Sequence, residues 1–250
     1  EMELAQLKEG ERDLPKFPGS DVASLRSLAA ILRGDFERVH VDVLPLESVR
    51  VARMISAEDH RALVLHCERQ GADRVLIAHL AAEYLRRAMA DEIAEIAQST
   101  AMQLLDRSDI ACVVAAYRAA VACGDAQLAE RARVALSATA SPRAIASLRR
   151  EEAVAALVRD PTRSHAITTE ILERFPDDAE SALLVVASAV ALGEVSARDA
   201  ERLARLPKSP ESYLIEARMA LLTGREMEAR RAARDGIELS ARRAYVAFDT

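Results

Sequence analysis

The feature that most constrains this chain is a glycine corner inside residues 210–239, PESYLIEARMALLTGREMEARRAARDGIEL. Tyr213, Ala217, Ala220 and Leu221 recur at three- and four-residue steps before Gly224, and Ala229, Ala232, Ala233, Gly236 and Ile237 recur after it. Such steps predict two amphipathic helices, each with one apolar stripe. A residue without Cβ takes the left-handed turn that ends the first helix at little cost. The alanines and Gly236 then predict that the second helix lies close against the first.

This hairpin resembles a tetratricopeptide (TPR) repeat, on Tyr213, Ala217, Gly224, Ala229 and Ala233. Gly236 stands where the family usually has alanine, and no proline closes the unit. The resemblance implies an all-α fold, a right-handed α-solenoid of antiparallel helical hairpins. It also implies that the chain holds another molecule on the concave face formed by the first helix of each hairpin.

Composition agrees with a helical chain. Half of the residues are hydrophobic but only 3% are aromatic, so the apolar content is largely Ala, Leu and Val, the mixture of closely packed helices. With 8 Gly and 8 Pro, the chain lacks the turns that an all-β fold of 250 residues requires. The net charge of -6 argues against a nucleic-acid partner held by bulk electrostatics. No segment has the ~20 apolar residues of a membrane span, and no signal segment opens the chain. Cys67, Cys112 and Cys123 sit in apolar contexts without zinc-type spacing, which predicts reduced thiols and a cytoplasmic location. Because the first residue is Glu1, a piece of a longer, bacterial-type protein is expected.

Residues 1–19 are polar and broken by Gly10, Pro15, Pro18 and Gly19, which predicts a linker or disordered terminus, with a TPR-like domain over 20–250. Ser20 or Asp21 is placed to cap a helix ending at Gly34. The following DFERVHVDVL reads as a second helix, while its alternating valines equally fit a strand. Helices are expected before and after Gly71, from Asp91, before and after Gly124, from Pro142, over 163–175, from Asp177-Asp178 to Gly193, and from Ser196. The corner glycines at 34, 71, 124, 193 and 224 are unevenly spaced against the ~34 residues of a regular array, so the repeats are expected to be degenerate.

Little in the sequence points to catalysis. Glu37 and His40 form one E-x-x-H, and His79 and Glu83 lie one turn apart; carboxylate-bridged metal sites use the first spacing in convergent pairs. Such pairs arise by chance in a chain with 30% charged residues, and neither metal nor cofactor is expected. His60 and His66 face different sides of their helix, and His165 follows a turn. Asp177-Asp178 reads as a helix cap.

The family pattern implies partner-binding positions on the first helix of each hairpin. They are Leu214, Ile215, Arg218 and Leu222 in the last unit, and Val114, Ala115, Arg118 and Ala122 before Gly124. Before Gly71 they are Arg61, Leu65, Glu68 and Arg69. Aliphatic side chains around an arginine suit an amphipathic helix or an extended peptide carrying a carboxylate. The expected role is a non-enzymatic scaffold for a protein or peptide partner, with self-association into a homo-oligomer as a further possibility. Two alternatives stay open: the sensor arm of a multidomain transcription regulator, and an all-helical metal-dependent enzyme.

Overall fold

The computed structural model describes residues 22–107 and 109–248, with side chains as far as Ala241. The expected linker over 1–19 and the cap at Ser20 or Asp21 lie outside them, as do the side chains of Arg242 and Arg243. Every regular element among the described residues is helical. The chain forms two compact units, one ending at Ala132 and the other beginning at Arg133.

The first unit opens with α1 (Val22–Leu32), which stops at Gly34. The chain then makes two 3₁₀ turns, Phe36–Arg38 and Val41–Val43, before a single short helix, α2 (Ser48–Ala52). DFERVHVDVL is therefore neither the expected helix nor the strand. Serines on α1 explain this: Ser24 Oγ donates to the Val43 carbonyl (2.8 Å), and the His40 N–H donates to Ser27 Oγ (3.1 Å). Side chains that satisfy backbone groups directly remove the need for a regular ladder.

Four longer helices follow, α3 (Ala57–Arg69), α4 (Arg74–Arg87), α5 (Asp91–Leu105) and α6 (Ile110–Cys123); α7 (Ala126–Thr139) then runs past the boundary between the units. Ser56, Asp73 and Asp109 cap α3, α4 and α6 by accepting backbone N–H groups of the first turn. Neighbours in sequence pack as neighbours in space: α3 on α4, α4 on α5, α5 on α6. Helix α6 also lies along α4. Its sequence, IACVVAAYRAAVAC, has Arg118 as its one charge, and a helix this apolar is mostly buried, with Val114, Arg118 and Val121 left half-buried. Ala115 (0% exposed) and Ala122 (7%), expected to face outward, are thus core residues. Gly124 ends a helix packed along α4 and α5.

The second unit contains α8 (Pro142–Ala156), α9 (Pro161–Arg174), α10 (Ala179–Leu192), α11 (Ala197–Arg205), α12 (Pro210–Leu222) and α13 (Glu226–Phe248). Helix α9 packs against α8 and α10, α10 against α11 and α12, and α12 against α13. Asp178 caps α10 through the Ser181 N–H (3.0 Å), as the sequence predicts, and Arg150 holds its other oxygen. Ser196 and Asp199 form a reciprocal capping box at α11. All five expected corner glycines adopt positive φ, between 69° and 80°.

In the last hairpin Ala229, Ala232 and Gly236 face α12. A Cβ at Gly236 would lie 2.9 Å from Tyr213 Cβ, so this glycine sets how closely the two helices approach. Ala233 and Ile237 each follow a facing residue by one position, a rotation of ~100° about the axis. Both are exposed, as is Leu221, and the expected stripe is corrected accordingly. Ala233→Arg is expected to change stability by no more than about 0.5 kcal/mol. Ala232→Arg is expected to cost about 2–4 kcal/mol, because a long cation cannot enter that contact. Urea denaturation of both variants checks this; equal losses would place Ala233 in the interface.

Candidate functional site

The candidate metal pairs do not assemble. Between Glu37 and His40 the chain passes from a 3₁₀ turn into extended backbone, so the two share no helical face. Glu83 is engaged by Arg53 (2.9 Å) and Arg86 (3.4 Å), and His79, half-buried, has an interaction of its own. Among the described residues no group of three or more His, Cys, Asp or Glu side chains is placed to hold a metal ion.

His60 is fully buried. Its Nε2 lies 3.0 Å from the Leu80 carbonyl, which accepts only, so the ring carries its proton on Nε2. Tyr84 packs against the ring at right angles, with centroids 5.6 Å apart. Nδ1 has no partner. Burial lowers the pKa of this histidine to about 4, against the backbone hydrogen bond that raises it. The thiols are pushed the other way, also by burial: Cys67 to about 12, Cys112 and Cys123 upward. A protonated thiol is a poor nucleophile and a poor ligand.

The residues expected to bind a partner fall into two groups. In the first unit Val114 and Arg118 are half-buried on α6, and Arg118 is already engaged within the fold. In the second unit Leu214, Arg218 and Leu222 are exposed on α12, and Leu221 joins them at steps of three, four and one residues. These four span one solvent face of the helix, and Arg218 has no ion-pair partner among the described residues. Ile215 is turned inward, half-buried against the cluster of Val186, Val190, Leu203 and Met219.

Several clefts open among the described residues. A cleft of about 600 Å³ in the second unit has Leu172, Val185, Ala189 and Leu192 as its apolar lining, with His165 on one wall and Arg198 on another. A trough of about 560 Å³ in the first unit runs between α3 and α5, over Leu65 and Ile96. Leu65, Glu68 and Arg69 were legible as outward positions of α3, and they form one of its walls. The opposite wall, Glu92, Glu95 and Ser99 of α5, was missed, because no corner glycine marks α5. A smaller hollow of about 360 Å³ lies on the far side of α5, between Glu95 and Asp125.

Compared with protein-family models, with curated proteins and with solved structures, the chain matches none. The class the coordinates define is an all-helical protein whose consecutive helices pack in order within each unit. No helix among the described residues is long and apolar enough to cross a membrane.

The buried His60 makes stability depend on acidity. Above pH 6.5 the ring is neutral whether the chain is folded or not. Between pH 6.5 and about 4 the unfolded chain takes up a proton that the folded one refuses, so stability falls, and below about 4 the loss levels off. The full effect is on the order of 3 kcal/mol. His60→Gln is expected to flatten the fall in unfolding free energy over that range; an unchanged profile would assign the acid sensitivity to other groups.

Proposed function

We propose that this chain is a non-enzymatic, TPR-like interaction module with degenerate repeats in a right-handed stack, and that it binds a partner protein or peptide. The observation that carries this is the solvent face of α12. Leu214 is 54% exposed, Leu221 59% and Leu222 53%, grouped around the unpaired Arg218. Contiguous exposed aliphatics on a folded surface mark a contact face. An arginine among them grips a carboxylate with its two-pronged donor geometry. The partner this face fits is an amphipathic segment with an acidic residue beside its apolar side. The module works without cofactor or nucleic acid, in a cytoplasmic setting.

A second reading, the sensor arm of a multidomain transcription regulator, draws support from the 600 Å³ cleft of the second unit, which lies within the ~300–1,000 Å³ typical of small-molecule sites. A ligand there should raise the melting temperature of the protein but not that of Arg198→Ala; a cleft that no small carboxylate stabilises ends this reading.

The partner-binding proposal is tested by Leu214→Glu, Leu222→Glu and Arg218→Glu. Each side chain faces solvent, so melting temperatures should stay within a degree or two of the parent. Affinity for a partner recovered with the parent protein should drop at least about tenfold in each. Unchanged affinity in all three would move the contact off α12.

A further inference from the structure

The trough between α3 and α5 has a chemistry distinct from the α12 face, and we infer that it is a second docking surface, one that takes a basic amphipathic segment of a partner protein. Its floor is apolar, from the half-buried Leu65 of α3 and Ile96 of α5. Its walls are mostly carboxylates. Glu68 is tied to Arg74 and Glu92 to Arg61, each at 2.6 Å, so these two walls are held in place and neutralised. Arg69, the one cation lining the trough, directs its Nε–H to the Leu65 carbonyl (3.2 Å) along its own helix.

The unpaired carboxylates are on α5, where they outnumber the one unpaired guanidinium of the lining, Arg69. Asp91 and Glu95 have no cation within ion-pair distance among the described residues. Asp91 sits in the first turn of α5, where the helix dipole already favours an anion. Glu95 lies a turn further on and has no such compensation. It belongs at once to the trough and to the hollow on the far side of α5. That hollow ends at Asp125, whose carboxylate accepts the Leu128 N–H (2.9 Å) and the Gln98 amide (2.8 Å). Those hydrogen bonds lower its pKa and keep it ionised. Asp91, Glu95 and Asp125 thus place three carboxylates beside an apolar trough: Glu95 is uncompensated, Asp91 is favoured by the helix dipole, and Asp125 is held by its hydrogen bonds with Arg131 nearby.

This arrangement selects its occupant. A segment with aliphatic side chains on one face covers Leu65 and Ile96, while Lys or Arg at its edges meets Glu95 and Asp91. An acidic segment of the same shape would be repelled, and a wholly polar one would leave the floor wet. Rim charges of this kind act mainly on the rate of encounter, so binding should weaken as salt screens them.

The probe is a synthetic helical peptide with leucine at the i, i+3/i+4, i+7 positions and lysine elsewhere, labelled for fluorescence anisotropy. Two companions replace its lysines by glutamate or its leucines by serine. The Leu/Lys peptide should bind the whole chain with 1:1 stoichiometry, and neither companion should match it. Glu95→Lys should weaken binding at least about tenfold, and Leu65→Ser should weaken it without changing its salt dependence. Glu173→Lys, in the second unit, and Leu214→Glu, on the α12 face, should leave it unchanged, which keeps this surface separable from the one proposed above. Circular dichroism melts confirm that each variant is folded. The inference is overturned if the Leu/Glu peptide binds as well, if Glu173→Lys weakens binding as much as Glu95→Lys, or if the Leu/Lys peptide does not bind.

Discussion

Close packing of alanine-rich helices is the constraint on which this protein depends. In the first unit, Ala115, Ala116, Ala119 and Ala120 of α6 are all fully buried, though they point to different sides of the helix. Only a side chain as small as a methyl lets one helix be enclosed by α4 and α5 with little rotamer entropy to lose. The second unit repeats the device in α10, where Ser181, Ala182, Val185, Ser188 and Ala189 are buried. Both central helices spend most of their surface on the core, although Val114, Arg118 and Val121 of α6 stay half-buried and Val185, Ala189 and Leu192 of α10 border the cleft of the second unit. Helices such as α3 and α5 in one unit and α12 in the other keep one side in water.

Polar groups follow the same economy. Buried donors and acceptors are mostly satisfied locally: Thr168 Oγ1 bonds to the Ser164 carbonyl, and Ser188 Oγ to that of Leu184. Arg87 spans two elements, donating to the Ala52 and Ile55 carbonyls (3.1 and 2.9 Å) just where α2 runs out of internal partners. Among the described residues His60 Nδ1, Ser164 Oγ and Ser181 Oγ are buried without a partner, and of these three side chains only the His60 ring titrates, so acidity bears on the fold there. Exposed ion pairs such as Lys208–Glu216 and Arg225–Glu228 contribute little to stability.

Much of this was written locally. The five corner glycines, the caps at Asp178 and Ser196, and the prolines that open α8 and α12 each act within a turn or two of the chain. That is why they were legible. The last hairpin was legible as a hairpin, but its expected stripe was too wide: Ala233 and Ile237 repeat the spacing of Ala232 and Gly236 and differ from them only by rotation about the axis. A stripe of alanines does not say which of two adjacent rows meets the neighbour. The contact between Gly236 and Tyr213 Cβ decides it.

The sequence by itself determined that the chain is helical, where most helices start and stop, and that consecutive helices fold back on one another, because caps, corners and 3.6-residue periodicity are short-range properties. Tertiary structure alone decided that α6 is enclosed, that DFERVHVDVL yields to hydroxyls arriving from α1, and that Glu95 and Leu65, distant in sequence, line one trough. Those outcomes turn on which helix lies against which. Small apolar residues make many such pairings sterically possible, and only the folded chain selects among them.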